Sequence, residues 1–211
     1  MNISEIARLI TPDFIQELCR EDSEEAERAK AAGCRFCGGV LHWARYWRKP
    51  RGIAERVAEL EHRASFCCAK CRRRSTPKSV IFLGRKVYLG ACIAVAGILR
   101  GEGATVAKTC GLIGMSVETL RRWKCWWQDS VQGGSWWSAV RARVMPSIEC
   151  NPFISKLFDR FLMHAGEAQA ALRKLLIFIS PLTVPGEYPS KGVSAGKNPQ
   201  KMGAVFAEHP T

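Results

Sequence analysis

The chain has 211 residues, of which 47 % are hydrophobic, enough to bury a core in one or two small domains. No apolar run reaches the roughly 18 residues a spanning helix needs, and Met1 to Ile10 lacks the basic start and apolar stretch of a signal peptide, so the expectation is a soluble intracellular protein. The net charge of +13 is uneven: residues 1–33 carry −4, residues 34–90 carry +11 from 14 basic against 3 acidic side chains, and residues 91–211 carry +6. A basic centre of that density favours a polyanionic partner, because each Lys or Arg set against a phosphate releases a condensed counterion.

The acidic N-terminal segment, residues 1–33, places Ile6, Leu9, Ile10, Phe14, Ile15 and Leu18 at helical spacing. Pro12 interrupts that pattern, and the reading is two short helices, the second starting near Ser23 with Glu24, Glu25 and Glu27 in its first turns. No chemistry is assigned to this segment.

The whole chain holds ten cysteines without an export signal, and a reducing compartment makes metal binding a better explanation than disulfides. Spacing separates them. Cys34 and Cys37 form one pair and Cys67, Cys68 and Cys71 a second cluster, whereas Cys19, Cys92, Cys110, Cys125 and Cys150 stand alone as small hydrophobes. Two Cys-x-x-Cys pairs about 30 residues apart supply the four thiolates that tetrahedral zinc prefers, so one structural Zn2+ is expected on Cys34, Cys37, Cys68 and Cys71. Cys68 ranks ahead of Cys67 because its spacing to Cys71 repeats the first pair; Cys67 and His62 stay open as alternative ligands. A thioredoxin-like redox pair is disfavoured, since two glycines and a strand pattern follow Cys37 instead of a helix.

Within this expected zinc ribbon, residues 34–82, Val40, Leu41, Trp43, Tyr46 and Trp47 read as a strand. Ile53 to His62 has the helical spacing of an insertion. The basic residues Arg48, Lys49 and Arg51 at a turn, and Arg72, Arg73 and Arg74 after the second pair, are candidate phosphate contacts.

Residues 83–130 read as a helix-turn-helix domain. Arg85 to Leu99 is a largely buried helix broken by Gly101 and Gly103, Thr105 to Cys110 a short helix, and Gly114 a turn. Ser116 is an N-cap, Glu118 lies in the first turn, and Leu120 and Trp123 face inward on the next helix. Ser116, Val117, Thr119, Arg121, Arg122 and Lys124 then face outward, where such a helix meets base edges and phosphates in the major groove; Arg121 and Arg122 are the main expected contacts. Trp126, Trp127, Trp136 and Trp137 are assigned to the core. In residues 131–180, Pro152 opens a helix with Phe153, Ile154, Leu157, Phe158, Phe161 and Leu162 on one face. A second helix, Glu167 to Ile179, is apolar nearly all round, and the pair reads as core or as a dimer contact. Residues 181–211, rich in Pro, Gly, Ser and Lys, read as a disordered tail. The fold class is therefore mainly α with a small β element (α+β): zinc ribbon, helix-turn-helix domain and C-terminal helical pair.

The two Cys-x-x-Cys pairs, Arg72-Arg73-Arg74 and the Thr119-Leu120-Arg121-Arg122-Trp123 helix together resemble the N-terminal DNA-binding half of bacterial insertion-element transposases. The run from Arg73 to Gly90 is also similar to short bacterial proteins found beside mobile elements. The resemblance spans roughly residues 34 to 180 and implies binding of double-stranded DNA at element ends or a regulatory site. It does not extend to catalysis. Such enzymes hold two metal ions on three carboxylates of a separate strand-rich domain, and after residue 128 only Asp129, Glu149, Asp159, Glu167, Glu187 and Glu208 remain, in helical or tail sequence. The expectation is a non-enzymatic accessory or regulator of a transposable element, on the cytoplasmic nucleoid, with no membrane and no small-molecule substrate. The alternatives are a zinc-stapled adaptor that docks a transposase or a second copy of the chain, and an RNA-binding protein.

Overall fold

In the computed structural model, residues 2–48, 50–52, 60, 62–83, 88–144 and 152–184 are described. The chain is mainly helical with a small antiparallel sheet, the class expected from the sequence. Among the described residues no helix is long and apolar enough to cross a membrane.

The N-terminal segment folds as a single turn, α1 (Ile3–Ala7), and one long helix, α2 (Pro12–Ala32). Pro12 does not interrupt a helix, and Ser23 does not start one. Pro12 occupies the first turn, where the missing N–H costs nothing and its fixed φ suits the helix, while the Thr11 side chain caps by accepting from the Phe14 N–H at 3.2 Å. Phe14, Ile15 and Leu18 enter the main core, but Ala26, two turns on, enters a second and smaller one. The helix is a beam between two cores.

The smaller core lies under the sheet. Strands β1 (Leu41–Trp43) and β2 (Tyr46–Trp47) pair antiparallel with β4 (Phe66–Cys68) and β3 (His62–Arg63), and β5 (Arg74–Ser75) adds to β4. Leu41 faces Cys68, Trp43 faces Phe66 and Tyr46 faces Arg63, one register throughout, with Ala44 N–H donating to Ser65 across the gap at 2.8 Å. The strand expected over Val40 to Trp47 is thus two short strands of one hairpin, bent at Ala44 and Arg45. His62 is a strand residue; the rest of the helical insertion expected over Ile53 to His62, Leu60 apart, lies outside the described residues.

The larger core is built on α3 (Gly90–Gly101), where residues from Ala91 to Ala96 are all buried. This helix starts at Gly90 with Leu89 as its extended N-cap, and Arg85, where the sequence placed its start, lies outside the described residues. Gly101 closes it, and with Gly97 lets α7 (Phe153–Ala165) lie against it, since a Cβ at Gly97 would sit 2.2 Å from Ile154. Around them pack α4 (Val106–Ile113), α5 (Val117–Cys125), a π-helical continuation (Trp126–Gln132), α6 (Ser135–Val140), a 3-10 turn (Arg141–Arg143) and α8 (Ala168–Ile179). Trp127, Trp136 and Trp137 are buried, as expected of core, and Trp126 is half-buried against it.

The first residues assigned to the expected tail are structured. Ser180–Thr183 forms a 3-10 turn that carries the chain through Pro181, and Thr183 is buried against the sheet side: its carbonyl accepts from Arg63 at 3.1 Å and its hydroxyl from the Ser79 N–H at 3.0 Å. Residues 185–211, the remainder of the expected tail, lie outside the described residues.

Candidate metal centre

The four expected ligands converge. The sulfurs of Cys34, Cys37, Cys68 and Cys71 all lie within 4.8 Å of one another, with Cys34 to Cys71 at 3.6 Å and Cys37 to Cys68 at 3.5 Å. A tetrahedron of metal–sulfur bonds of about 2.3 Å has edges of about 3.8 Å, so the cluster could hold one metal ion after small adjustments.

Both knuckles are built alike. In the first, Cys34 N–H donates to the Gly39 carbonyl at 2.9 Å and Gly38 N–H to the Cys34 carbonyl at 2.7 Å. In the second, Cys68 N–H donates to Arg73 at 3.1 Å and Arg72 N–H to Cys68 at 3.1 Å, the same offsets from the first cysteine. The turn needs a left-handed residue at the fourth position after that cysteine. Gly38 supplies it with φ 68°, and Arg72 with φ 60°, the single non-glycine with positive φ among the described residues.

Strand alternation decides between Cys67 and Cys68. Side chains two apart on a strand share a face, so Phe66 and Cys68 both point to the core that holds Leu41 and Ala26. Cys67 points away and contacts the Arg72 carbonyl at 3.7 Å. His62 is also excluded from the cluster; its ring lies against exposed Trp47 at 4.0 Å.

The electrostatics fit a cation. The backbone N–H of Cys71 acts first among the groups that pull the Cys68 thiol down to about 6. Against the pull of the Arg73 N–H, burial and the sulfurs of Cys37, Cys34 and Cys68 push Cys71 up to about 12. One thiolate forms readily and its neighbour resists, a conflict that a divalent ion relieves by replacing protons. Gly39 makes the approach possible: a Cβ there would meet the Cys68 sulfur and the Lys70 Cβ at 3.0 Å.

The basic residues expected to line a polyanion fall into two settings. Arg72, Arg73 and Arg74 are exposed at the second knuckle, and the Arg73 guanidinium lies over Phe36 at 4.9 Å. Arg51 belongs instead to the helical body, and Arg48 lies between it and the sheet, over Tyr46 at 5.9 Å. Arg48 lies over Phe82 at 5.1 Å, and Arg51 bridges to Tyr88, whose ring meets Trp123 edge-on at 5.0 Å and whose hydroxyl donates to Gly114 at 3.4 Å. Lys49 lies outside the described residues.

On the helical body, Thr105 caps α4, Gly114 ends it with φ 67°, and Ser116 caps α5 by accepting from the Thr119 N–H at 3.2 Å. Leu120 and Trp123 are buried, Thr119 is half-buried, and Ser116, Val117, Arg121, Arg122 and Lys124 are exposed. Arg122 pairs with Glu118 at 3.1 Å, while Arg121 and Lys124 have no carboxylate partner among the described residues.

Asp22 was not singled out by its sequence context. It sits mid-helix in α2, yet its half-buried carboxylate accepts from the Ser79 hydroxyl and, at 2.6 Å, from the Val80 N–H, tying the segment after the sheet to the beam. Burial raises its pKa to about 6, against the lowering effect of those bonds and of Arg63. The available signal was Asp22 standing on the same face as Ile15 and Leu18, at i+7 and i+4. No protein-family model, curated protein or solved structure matches this chain.

Proposed function

We propose that this protein is a non-catalytic duplex-DNA-binding protein of the mobile-element kind, with one structural zinc on Cys34, Cys37, Cys68 and Cys71 and with α5 as the helix that enters the major groove. The observation that carries the reading is the pair of capped helices α4 and α5 across the left-handed Gly114, with the outer face of α5 exposed and basic. Four thiolates leave no open coordination position for water or substrate, so the ion acts as a staple and holds Arg72 to Arg74 on a fixed turn. Arg121 and Lys124 are the leading contacts. Arg122 ranks behind them because its exposed pair with Glu118 offsets part of its charge.

The test is DNA affinity on a selected site with the full chain. Arg121→Ala is expected to cost about 1–3 kcal/mol, more than Arg122→Ala, and affinity to fall steeply with salt. An unchanged footprint in the double variant removes α5 as the reading helix. About one zinc per chain is expected by metal analysis, and its absence removes the staple.

A second reading, an adaptor for a transposase or for another copy of the chain, is favoured by Met163 on α7 and Ile177 on α8, apolar side chains 76 % and 40 % exposed. A stoichiometric protein complex that survives high salt would support it. Displacement of DNA by equimolar structured RNA would move the nucleic-acid reading to RNA.

A further inference from the structure

A cleft of about 560 Å³ runs along one flank of α5, closed by α3, the start of α4, the π-helical turn and the start of α7. Helical geometry places Val117, Arg121, Lys124 and Gln128 in one row on this flank, about a quarter turn from the buried row of Leu120, Trp123 and Trp127. Val106 and Val117 face each other's elements there with about two fifths of their surface still exposed, although both are apolar. Trp127, 5 % exposed, forms part of the wall with its indole N–H unpartnered. Three cations, Arg100, Arg121 and Lys124, line the same cleft, and among the described residues no carboxylate does. Arg100 is partly committed, donating to the Ala104 carbonyl, whereas Arg121 and Lys124 have no carboxylate partner among the described residues.

We infer that this cleft binds a small apolar carboxylate. The volume is that of an ordinary small-molecule pocket, and its apolar walls would take an aromatic or branched hydrocarbon body. The two uncommitted cations at the mouth match a single anionic head, Arg121 as a two-pronged donor and Lys124 as a point charge. A phosphate would fit the cations but leave the valines and Trp127 without a partner. The inference goes beyond the proposed function, though Arg121 and Lys124 serve both, so ligand and duplex would compete for them.

The test is calorimetric titration of the full chain with 1-naphthoate and with its neutral counterpart 1-naphthamide, in the absence of DNA. The carboxylate is expected to bind about tenfold more tightly than the amide. Arg121→Gln with Lys124→Gln brings the two ligands to within about twofold of each other, and Arg20→Gln with Lys174→Gln, the same charge change outside the cleft, leaves both affinities unchanged. All four positions are exposed, so the variants keep the fold. No saturable binding of naphthoate, equal affinities in the parent chain, an advantage that survives the α5 substitutions, or one lost in the control variant outside the cleft would each overturn the inference. DNA affinity plays no part in the readout, so failure here leaves the DNA reading standing, and the reverse.

Discussion

Gly39 and Asp22 show how much single positions decide here. Gly39 lies where the two knuckles cross, and a methyl group there meets one ligand sulfur and the neck of the opposite turn. Gly39→Ala should therefore push the second knuckle out by a few tenths of an ångström and weaken metal affinity about tenfold, measured by competition with a chromogenic chelator. Unchanged affinity would show that the turn yields freely. Asp22 makes a different prediction. Its folded pKa of about 6 lies above the ordinary carboxyl value of 3.8, so its contribution to stability is full below about pH 4 and is lost as the pH rises through about 6. The effect is up to about 3 kcal/mol. Asp22→Asn should flatten the pH dependence of the urea midpoint in that window, and an unaltered slope would assign it to other groups. The four-cysteine cluster was legible because two Cys-x-x-Cys pairs have the spacing a metal requires. Cys68 over Cys67 was legible too, had Phe66 been used to fix the inward face. Arg72 was not, because nothing in its side chain announces a left-handed backbone.

At the scale of elements, the caps were the most readable features. Thr105, Gly114 and Ser116 each sit at the expected helix end, since their side chains or backbone satisfy groups the helix leaves unpaired. Ser116→Ala should cost about 1 kcal/mol in urea unfolding, as the Thr119 N–H loses its acceptor. A change near zero would mean the α4–α5 turn is held by packing alone, through Tyr88 on Trp123. The N-terminal helix was misread at Pro12 because a proline signal is ambiguous: it breaks a helix interior and favours a helix start, and only the Thr11 cap distinguishes the two. Nor did periodicity reveal the hairpin bend at Ala44, which depends on the opposing strand.

At the scale of the whole molecule, two cores share one beam. The larger is a broad cluster of aliphatic and aromatic side chains, whereas the smaller consists of Ala26, Cys34, Leu41, Phe66 and Cys68, too few side chains to hold a sheet of three-residue strands by burial. Its stability should come from the ion. Removing metal with a strong chelator under reduction should therefore abolish the near-ultraviolet signal of the stacked Trp43 and Phe66 while most far-ultraviolet helix signal persists. Loss of both together would mean the cores are one cooperative unit. Coupling between them runs through long-range ties: Asp22 to Ser79, Arg63 to Thr183, and Arg173 of α8 in ion pairs with Glu17 and Glu21 of α2. The sequence by itself determined the four-cysteine cluster, the basic centre, the capped pair of helices and the apolar faces, because each follows from local spacing and residue chemistry. Only the tertiary structure decided that the acidic N-terminal helix spans both cores, that Arg51 rests on the helical body through Tyr88, and that Arg121 and Lys124 border a cleft. Those outcomes depend on which surfaces meet across 20 to 160 residues of chain, a separation over which local periodicity carries no information.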